Sequence, residues 1–412
     1  DQILMDGNTA TALGAVYAGA TVAAWYPITP STSVVDAFEK YCRRLRIDPG
    51  TGKKNYAIVQ AEDELSAMGM VIGANWNGAR AFTATSGPGV SLMSEFLGLA
   101  YFSEVPAVLV DVQRAGPSTG MPTRTQQSDI LAAAYASHGD TKHVLFFPAT
   151  PAECFSMTVE AFDLAERLQT PIIIMSDLDL GMNEWMSPPL EFDDSYRYDR
   201  GKVLSGADLE AMTERFGRYL DVDGDGIPYR TYPGAHPTKG AYFTRGSSRD
   251  EYAVYTEDGD VYVRNMDRLL KKFETAKAMV PEAKIKPAAE PTKDALLFFG
   301  TTASPAYEAL ETLEKERIHL DTLRLRSFPF TQEVEDFIEE HDRIFVIEQN
   351  RDGQMRRLLL NETNVEANAK LISVVEYDGL PVTARKIASV IRGAMGINNV
   401  TPLMPKEKEL AS

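Results

Sequence analysis

The chain has 412 residues, room for two or three domains of ordinary size, each able to bury a core. With 42 Lys plus Arg against 59 Asp plus Glu the net charge is −17, which argues against a nucleic-acid or anionic-membrane surface, because both demand a basic footprint. A composition 44% hydrophobic and 25% charged is that of a globular protein, and the 2 cysteines, Cys42 and Cys154, exclude a disulfide scaffold, a four-cysteine zinc site and a self-contained iron–sulfur cluster.

The chain starts at Asp1 and is in patterned sequence by Asn8, which reads as a processed or truncated start; no signal peptide is visible and no apolar run reaches the roughly 18 residues of a membrane span, so the cytoplasm is the expected compartment. Asn8 or Thr9 is expected to cap a small-residue helix over 10–19. A short apolar run over 22–26 leads into Pro27-Ile28-Thr29-Pro30, and Ser31-Thr32-Ser33 opens a helix with Val34, Val35 and Phe38 on one face. A strand over 56–59 precedes Ala61-Glu62-Asp63-Glu64, an acidic first turn suited to the helix dipole. A strand over 80–85, a tight turn at Ser86-Gly87-Pro88-Gly89 and a helix over 91–102 follow. The run 107–112 has the near-continuous apolar character of a buried parallel strand. The polar loop 113–129 after it is long for a compact domain, which favours a functional role. A helix over 151–167 and a strand over 171–176 complete a doubly wound α/β domain, expected at 1–188.

Residues 189–292 lose this rhythm and read as an irregular insert or linker with one helix over 264–278. From 293 to 412 strands over 295–299, 320–325, 344–347 and 371–375 alternate with helices, a second and smaller doubly wound domain.

Each motif leaves two readings open. In Tyr26-Pro27-Ile28-Thr29-Pro30-Ser31-Thr32 the prolines fix the backbone around Thr29, either as a capped turn or as a ligand loop at a strand C-terminal end. Glu64 is either part of a solvated acidic turn or a carboxylate turned into a dry contact, where Gly69 and Gly73 permit close packing and a raised pKa lets it share a proton with a ring nitrogen. Arg114, at the end of the apolar strand, is either a paired surface Arg or a carboxylate or phosphate fork opening the loop Ala115-Gly116-Pro117-Ser118-Thr119-Gly120-Met121-Pro122-Thr123. Ser86-Gly87-Pro88-Gly89 is neither a nucleophile elbow nor a dinucleotide loop. Asp221-Val222-Asp223-Gly224-Asp225-Gly226 begins like a calcium loop but has Tyr232 at the twelfth position, and it lacks the context of a diphosphate–Mg²⁺ motif. The 5 histidines form no metal spacing. Glu348-Gln349-Asn350-Arg351-Asp352-Gly353-Gln354 reads as a polar βα loop, or else as an interface or ligand edge.

Taken together, Tyr26-Pro27-Ile28-Thr29-Pro30, Glu62-Asp63-Glu64-Leu65-Ser66-Ala67, Thr85-Ser86-Gly87-Pro88-Gly89 and Gly116-Pro117-Ser118-Thr119-Gly120-Met121-Pro122-Thr123 resemble, in order and spacing, the α subunits of 2-oxoacid:ferredoxin oxidoreductases, most closely the 2-oxoglutarate synthase branch. The resemblance implies a thiamine diphosphate pyrimidine-binding domain at 1–188 and a transketolase C-terminal-like domain at 293–412. It implies Glu64 on the aminopyrimidine nitrogen, Arg114 on the substrate carboxylate, and Thr29 and Thr123 hydrogen-bonding its oxygens, with Thr29 also beside the cofactor. The cofactor's diphosphate, its Mg²⁺ and a [4Fe–4S] cluster are implied on a separate β subunit, with CoA as co-substrate, ferredoxin as electron partner and a dimer of αβ units. A γ-type domain precedes the Tyr-Pro-Ile-Thr-Pro domain in many bacterial members; it is not expected in these residues, which leaves CoA contacts open. Arg124 is a candidate for a second substrate carboxylate. The alternatives are a pyruvate or other 2-oxoacid specificity and a non-catalytic α/β scaffold.

Overall fold

Two parallel strands set the architecture. The run Ala107–Gln113 and the run Pro171–Asp177 are buried at every position, which requires helices on both faces of the sheet. The computed structural model describes residues 2–397 except 243 and 365, so the end of the predicted second domain, 398–412, lies outside the described residues. The strands are β1 Ile3–Met5, β2 Val22–Trp25, β3 Ala57–Gln60, β4 Ala81–Thr85, β5 Ala107–Gln113, β6 Val144–Phe146 and β7 Pro171–Asp177. They continue as β8 Trp185–Ser187, β9 Lys284–Lys286, β10 Asp294–Phe299, β11 Asp321–Leu325, β12 Ser327–Phe328, β13 Arg343–Glu348 and β14 Leu371–Val375.

The larger sheet runs β12-β6-β7-β5-β4-β2-β3 and is parallel except for β12. The smaller runs β14-β13-β10-β11-β9, parallel except for β9. β12 leaves the second sheet's stretch of chain to extend the first sheet. One apolar cluster, from Ala12 through Leu109 and Ile173 to Leu297 and Leu359, joins the two sheets. A second covers the outer face of the smaller sheet. The fold class is therefore α/β with two parallel sheets. Among the described residues no helix is long and apolar enough to cross a membrane.

The segment between the sheets has little regular structure, a helix Gly206–Ala211 and a longer one Gly259–Ala276, which starts five residues before the predicted 264–278. It is pinned to the first sheet by buried charge rather than by a core of its own. Glu104, wholly buried, accepts from Arg268 Nη1 and Nη2 (2.8 and 2.5 Å) and from Lys272 Nζ (2.9 Å). Glu166 likewise gathers Arg80, Arg200 and Arg230. The Asp221–Asp225 run is part of this strap: Asp221 accepts from the amides of Gly224 and Gly226, while Asp223 and Asp225 both pair with Lys202. A lysine ammonium is thus the cation these carboxylates hold, which explains the run without a calcium loop.

Two local expectations change. Ser86-Gly87-Pro88-Gly89 is not a free turn but the start of the helix Gly87–Ser103, with Pro in the first helical positions where its missing N–H leaves nothing unsatisfied. The first helix, Gly7–Tyr17, is capped not by Asn8 or Thr9 but by Asp6, which accepts from Thr9 N at 2.6 Å. Asn8 is thereby free to donate to Pro30 O (2.9 Å) and Ser33 Oγ (2.8 Å).

Candidate functional site

The first sheet reverses its winding between β2 and β4: β2 is followed outward by β3, and the chain then returns to the other side of β2. Ligands of open α/β sheets sit at such a switch point, outside the strand C-terminal ends. The segments at that edge are those the sequence singled out: Pro27-Ile28-Thr29-Pro30 after β2, Glu64 after β3, Ser86-Gly87-Pro88-Gly89 after β4 and Arg114 after β5. Neighbouring strands are about 4.8 Å apart, so the strand ends carrying Glu64 and Arg114, three strand steps apart, bracket a front of roughly 14 Å.

The three acids before Leu65 have different environments. Glu62 and Asp63 are exposed, and Asp63, in extended backbone, is the N-cap, accepting from Ser66 N at 2.7 Å. The helix Glu64–Trp76 then turns Glu64 onto the face that carries Ala67, Met68 and Val71. Glu64 is only 6% exposed and its carboxylate has no hydrogen-bond or ion-pair partner among the described residues. It lies over Gly89, where a Cβ would stand 2.9 Å from Glu64 Cγ and would overlap Thr85 Oγ1. Gly89 is therefore required by close approach, not by an unusual φ.

Arg114 is 6% exposed. Its Nη1 donates to Thr29 O at 2.7 Å, and its Nε is buried without a partner. Burial lowers its pKa and the Asp129 carboxyl opposes that, but the two form no ion pair. Arg114 opens a cavity of about 790 Å³ between the sheets, walled by Gly87, Ser91, Gly116, Asp129, Asn350, Arg351 and Tyr377 among others.

Thr29 is exposed, and it meets Arg114 through its carbonyl rather than its hydroxyl; buried Asn8 holds Pro30 behind it. Thr123 and Arg124 are exposed and lie outside the cavity lining, on the rim where Arg124 packs against Gly379. The structure thus brings Thr29 and Arg114 into contact and sets Glu64 on the same sheet edge, but it does not bring Thr123 or Arg124 onto the cavity wall.

The second domain reaches this edge through a lock that sequence reasoning missed. Its own switch point, between β10 and β13, is filled by Gln127 of the long loop. Gln127 Nε2 donates to Phe299 O (3.2 Å), its Oε1 accepts from Gln349 N (3.1 Å), and its amide donates to Gln349 O (2.8 Å). Gln349 Nε2 continues to Thr301 Oγ1 (3.1 Å), and Thr301 Oγ1 donates to Asp177 at the end of β7. Asn350 Nδ2 donates to Gln127 O (2.9 Å) and to Glu348 Oε2 (2.7 Å). The Glu348–Gln354 stretch is therefore an interface, and the signal available for it was a run of amides directly at a strand end.

A glutamate without a partner among the described residues and a guanidinium without an ion pair thus lie on one switch-point edge, which a ligand carrying a hydrogen-bond donor and an anion would complement. Residues 13–208 match the family model described as pyruvate flavodoxin/ferredoxin oxidoreductase, thiamine diphosphate-binding. The chain is similar to the α subunit of 2-oxoacid:ferredoxin oxidoreductase 2 of Aeropyrum pernix, 34% identical over 396 residues, covering 94% of this chain and 60% of that one. It is similar to the 2-oxoglutarate synthase subunit KorA of Methanothermobacter thermautotrophicus, 32% identical over 370 residues and covering 86% of this chain and 89% of that one. Among solved structures it resembles 2-oxoglutarate:ferredoxin oxidoreductase from Magnetococcus marinus with 2-oxoglutarate, coenzyme A and succinyl-CoA bound, at a TM-score of 0.85 and 28% identity, over 95% of this chain and 65% of that one. The chain belongs to the α-subunit family of the 2-oxoacid:ferredoxin oxidoreductases. It spans 60% of the length of the first of these relatives.

Proposed function

We propose that the chain is the α subunit of a 2-oxoglutarate:ferredoxin oxidoreductase, which converts 2-oxoglutarate and CoA to succinyl-CoA and CO₂ while reducing ferredoxin, or runs the reductive carboxylation in reverse. The carrying observation is Glu64, a residue only 6% exposed whose carboxylate has no partner among the described residues, set above Gly89 on a domain of the thiamine diphosphate-binding family. Such a group fits the pyrimidine ring of that cofactor: the ring supplies the missing hydrogen-bond partner, and Gly89 leaves the carboxylate in place beneath it. Bound there, thiamine diphosphate supplies the nucleophilic carbon and the electron sink that decarboxylation of a 2-oxoacid requires. Glu64 holds a proton at the ring nitrogen. Arg114 grips the substrate carboxylate with the donors that Thr29 O leaves free. The Thr29 carbonyl, 2.7 Å from Arg114 Nη1, orients the guanidinium for that contact, while Thr123 stays on the rim outside the cavity lining.

The diphosphate, its Mg²⁺ and the [4Fe–4S] cluster are assigned to a β subunit. Two features of this chain support that division. Gly224-Asp225-Gly226 is engaged with Lys202. Cys42 and Cys154 are buried apart in different apolar clusters, and burial pushes the Cys42 thiol up to about 11. The working assembly is a dimer of αβ units in the cytoplasm, with ferredoxin as electron partner. The choice of 2-oxoglutarate rests on similarity to 2-oxoglutarate enzymes. The test is ferredoxin reduction by the enzyme assembled with its iron–sulfur partner, with 2-oxoglutarate and pyruvate compared at equal concentration. Preference for 2-oxoglutarate is expected. Equal rates refute the substrate assignment, and turnover by the lone, colourless chain refutes the subunit assignment.

A further inference from the structure

β5 carries a carboxylate in the middle of an otherwise apolar buried run. Asp111 is wholly buried, in register with Thr85 of β4 and Met175 of β7. Neither of its oxygens has a hydrogen-bond partner, and the one charged neighbour acting on it is Asp129. Asp129 stands on the cavity wall at the far end of the loop that Arg114 begins. Its carboxyl is pressed onto Gly87, where a Cβ would come within 2.6 Å of Oδ1, and its Oδ2 is buried and unpartnered.

The groups facing Asp129 are few. The helix Gly87–Ser103 begins there and has no acidic side chain in its first turn. The second domain's Arg351 and Asp352 pair with each other at 2.7 Å. That leaves Arg114, which is unpaired, and Asp111. Burial raises both carboxyls, Asp111 well above the ordinary range and Asp129 to about 7, with Arg114 opposing the rise at Asp129. Two carboxyls in a dry site beside a single cation do not both ionise.

Resting on the reading of Arg114 as the substrate-carboxylate clamp, we infer that Asp129, backed by Asp111, is a positioning residue that holds a proton so that Arg114 stays unpaired and free to grip the 2-oxoacid. With Asp129 neutral, the guanidinium's charge is available to the substrate. Once Asp129 ionises, its carboxylate becomes an internal rival for Arg114 and substrate affinity falls.

The test is the pH profile of KM for 2-oxoglutarate in the assembled enzyme, between about pH 6 and pH 9, bracketing the Asp129 midpoint near 7. KM is expected to be flat at the acid end and to rise above the midpoint toward about tenfold per pH unit, the slope for one exchanged proton, with kcat changing less. Asp129→Asn, isosteric and always neutral, is expected to keep the acid-end KM and abolish the rise. Infrared spectra of the full chain are expected to show a protonated-carboxyl band that the Asp129→Asn or Asp111→Asn substitution diminishes. A KM profile identical in wild type and Asp129→Asn, or a KM raised at least about tenfold at every pH by the substitution, overturns the inference and leaves the functional reading standing. A wild-type enzyme that turns over no 2-oxoacid overturns the functional reading instead. Should Asp129→Asn not fold, the wild-type band decides: its absence near neutral pH overturns the inference.

Discussion

Gly89→Ala isolates the contact that keeps Glu64 where it is. On an open helix surface the change stabilises, since Ala is favoured over Gly by about 1 kcal/mol in a helix interior. Here the new methyl overlaps Thr85 Oγ1 and falls 2.9 Å from Glu64 Cγ. Neither neighbour yields cheaply. Thr85 is wholly buried at the end of β4 and is stiff at χ1, and Glu64 sits in the first turn behind the Asp63 cap. Overpacking of this kind costs about 1–3 kcal/mol, so the net loss of stability is expected at about 0–2 kcal/mol. The effect on turnover is expected to be larger: a reacting group displaced by about 1 Å loses about 10²-fold in rate. Adding Thr85→Ala removes the worst overlap, so a double-mutant cycle should show favourable coupling in stability, with turnover partly restored. Urea unfolding of the chain and kcat of the assembled enzyme are the two readouts. A Gly89→Ala protein that is more stable than wild type and turns over normally refutes the packing argument.

Glu104→Gln should destabilise the chain by about 3–5 kcal/mol, because it strands Arg268 and Lys272 as buried cations. A urea midpoint within error of wild type would show that the insert is not held by this cluster. Acid should loosen the junction of the two sheets through Glu153, which Arg324 grips with both guanidinium nitrogens at 2.6 and 2.5 Å. Burial raises the Glu153 pKa, but Arg324 outweighs it and depresses the carboxyl from 4.5 to about 2. A depressed folded-state pKa contributes stability above the unfolded value, here on the order of 3 kcal/mol, which is lost as pH falls from about 4.5 toward 2. An acid-unfolding curve unchanged by Glu153→Gln would contradict this.

The sheets themselves were legible because β5 and β7 are apolar runs of strand length between turn residues, and the prolines and glycines of the switch-point loops stand out in any reading. The burial of Glu64 was half legible. Three consecutive acids look alike until the helix start is fixed, yet the spacing 64, 67, 68, 71, 72 already marks the buried face, and Asp63 with Ser66 is a cap signature. Ser86–Gly89 misled because glycine and proline signal a turn more loudly than a helix start. Asp111 gave no warning, being a single polar letter in an apolar strand. The Gln127–Gln349–Thr301 lock was illegible, since it joins residues far apart in the chain and no local pattern encodes which amide meets which. Thr123 entered by resemblance alone, and the rim position it occupies is set by a loop whose path depends on contact with Gly379.

Glu64→Gln tests the account most directly, because it removes the ionisable oxygen while keeping the shape of a group that touches no other side chain by hydrogen bond or ion pair. In the enzyme assembled with the proposed iron–sulfur β subunit, the substitution is expected to leave the fold and the subunit interface intact and to lower kcat with the proposed substrate, 2-oxoglutarate, by about 10²–10³-fold. Wild-type turnover in Glu64→Gln, with a correctly assembled complex, would contradict the assignment of this carboxylate to the chemistry.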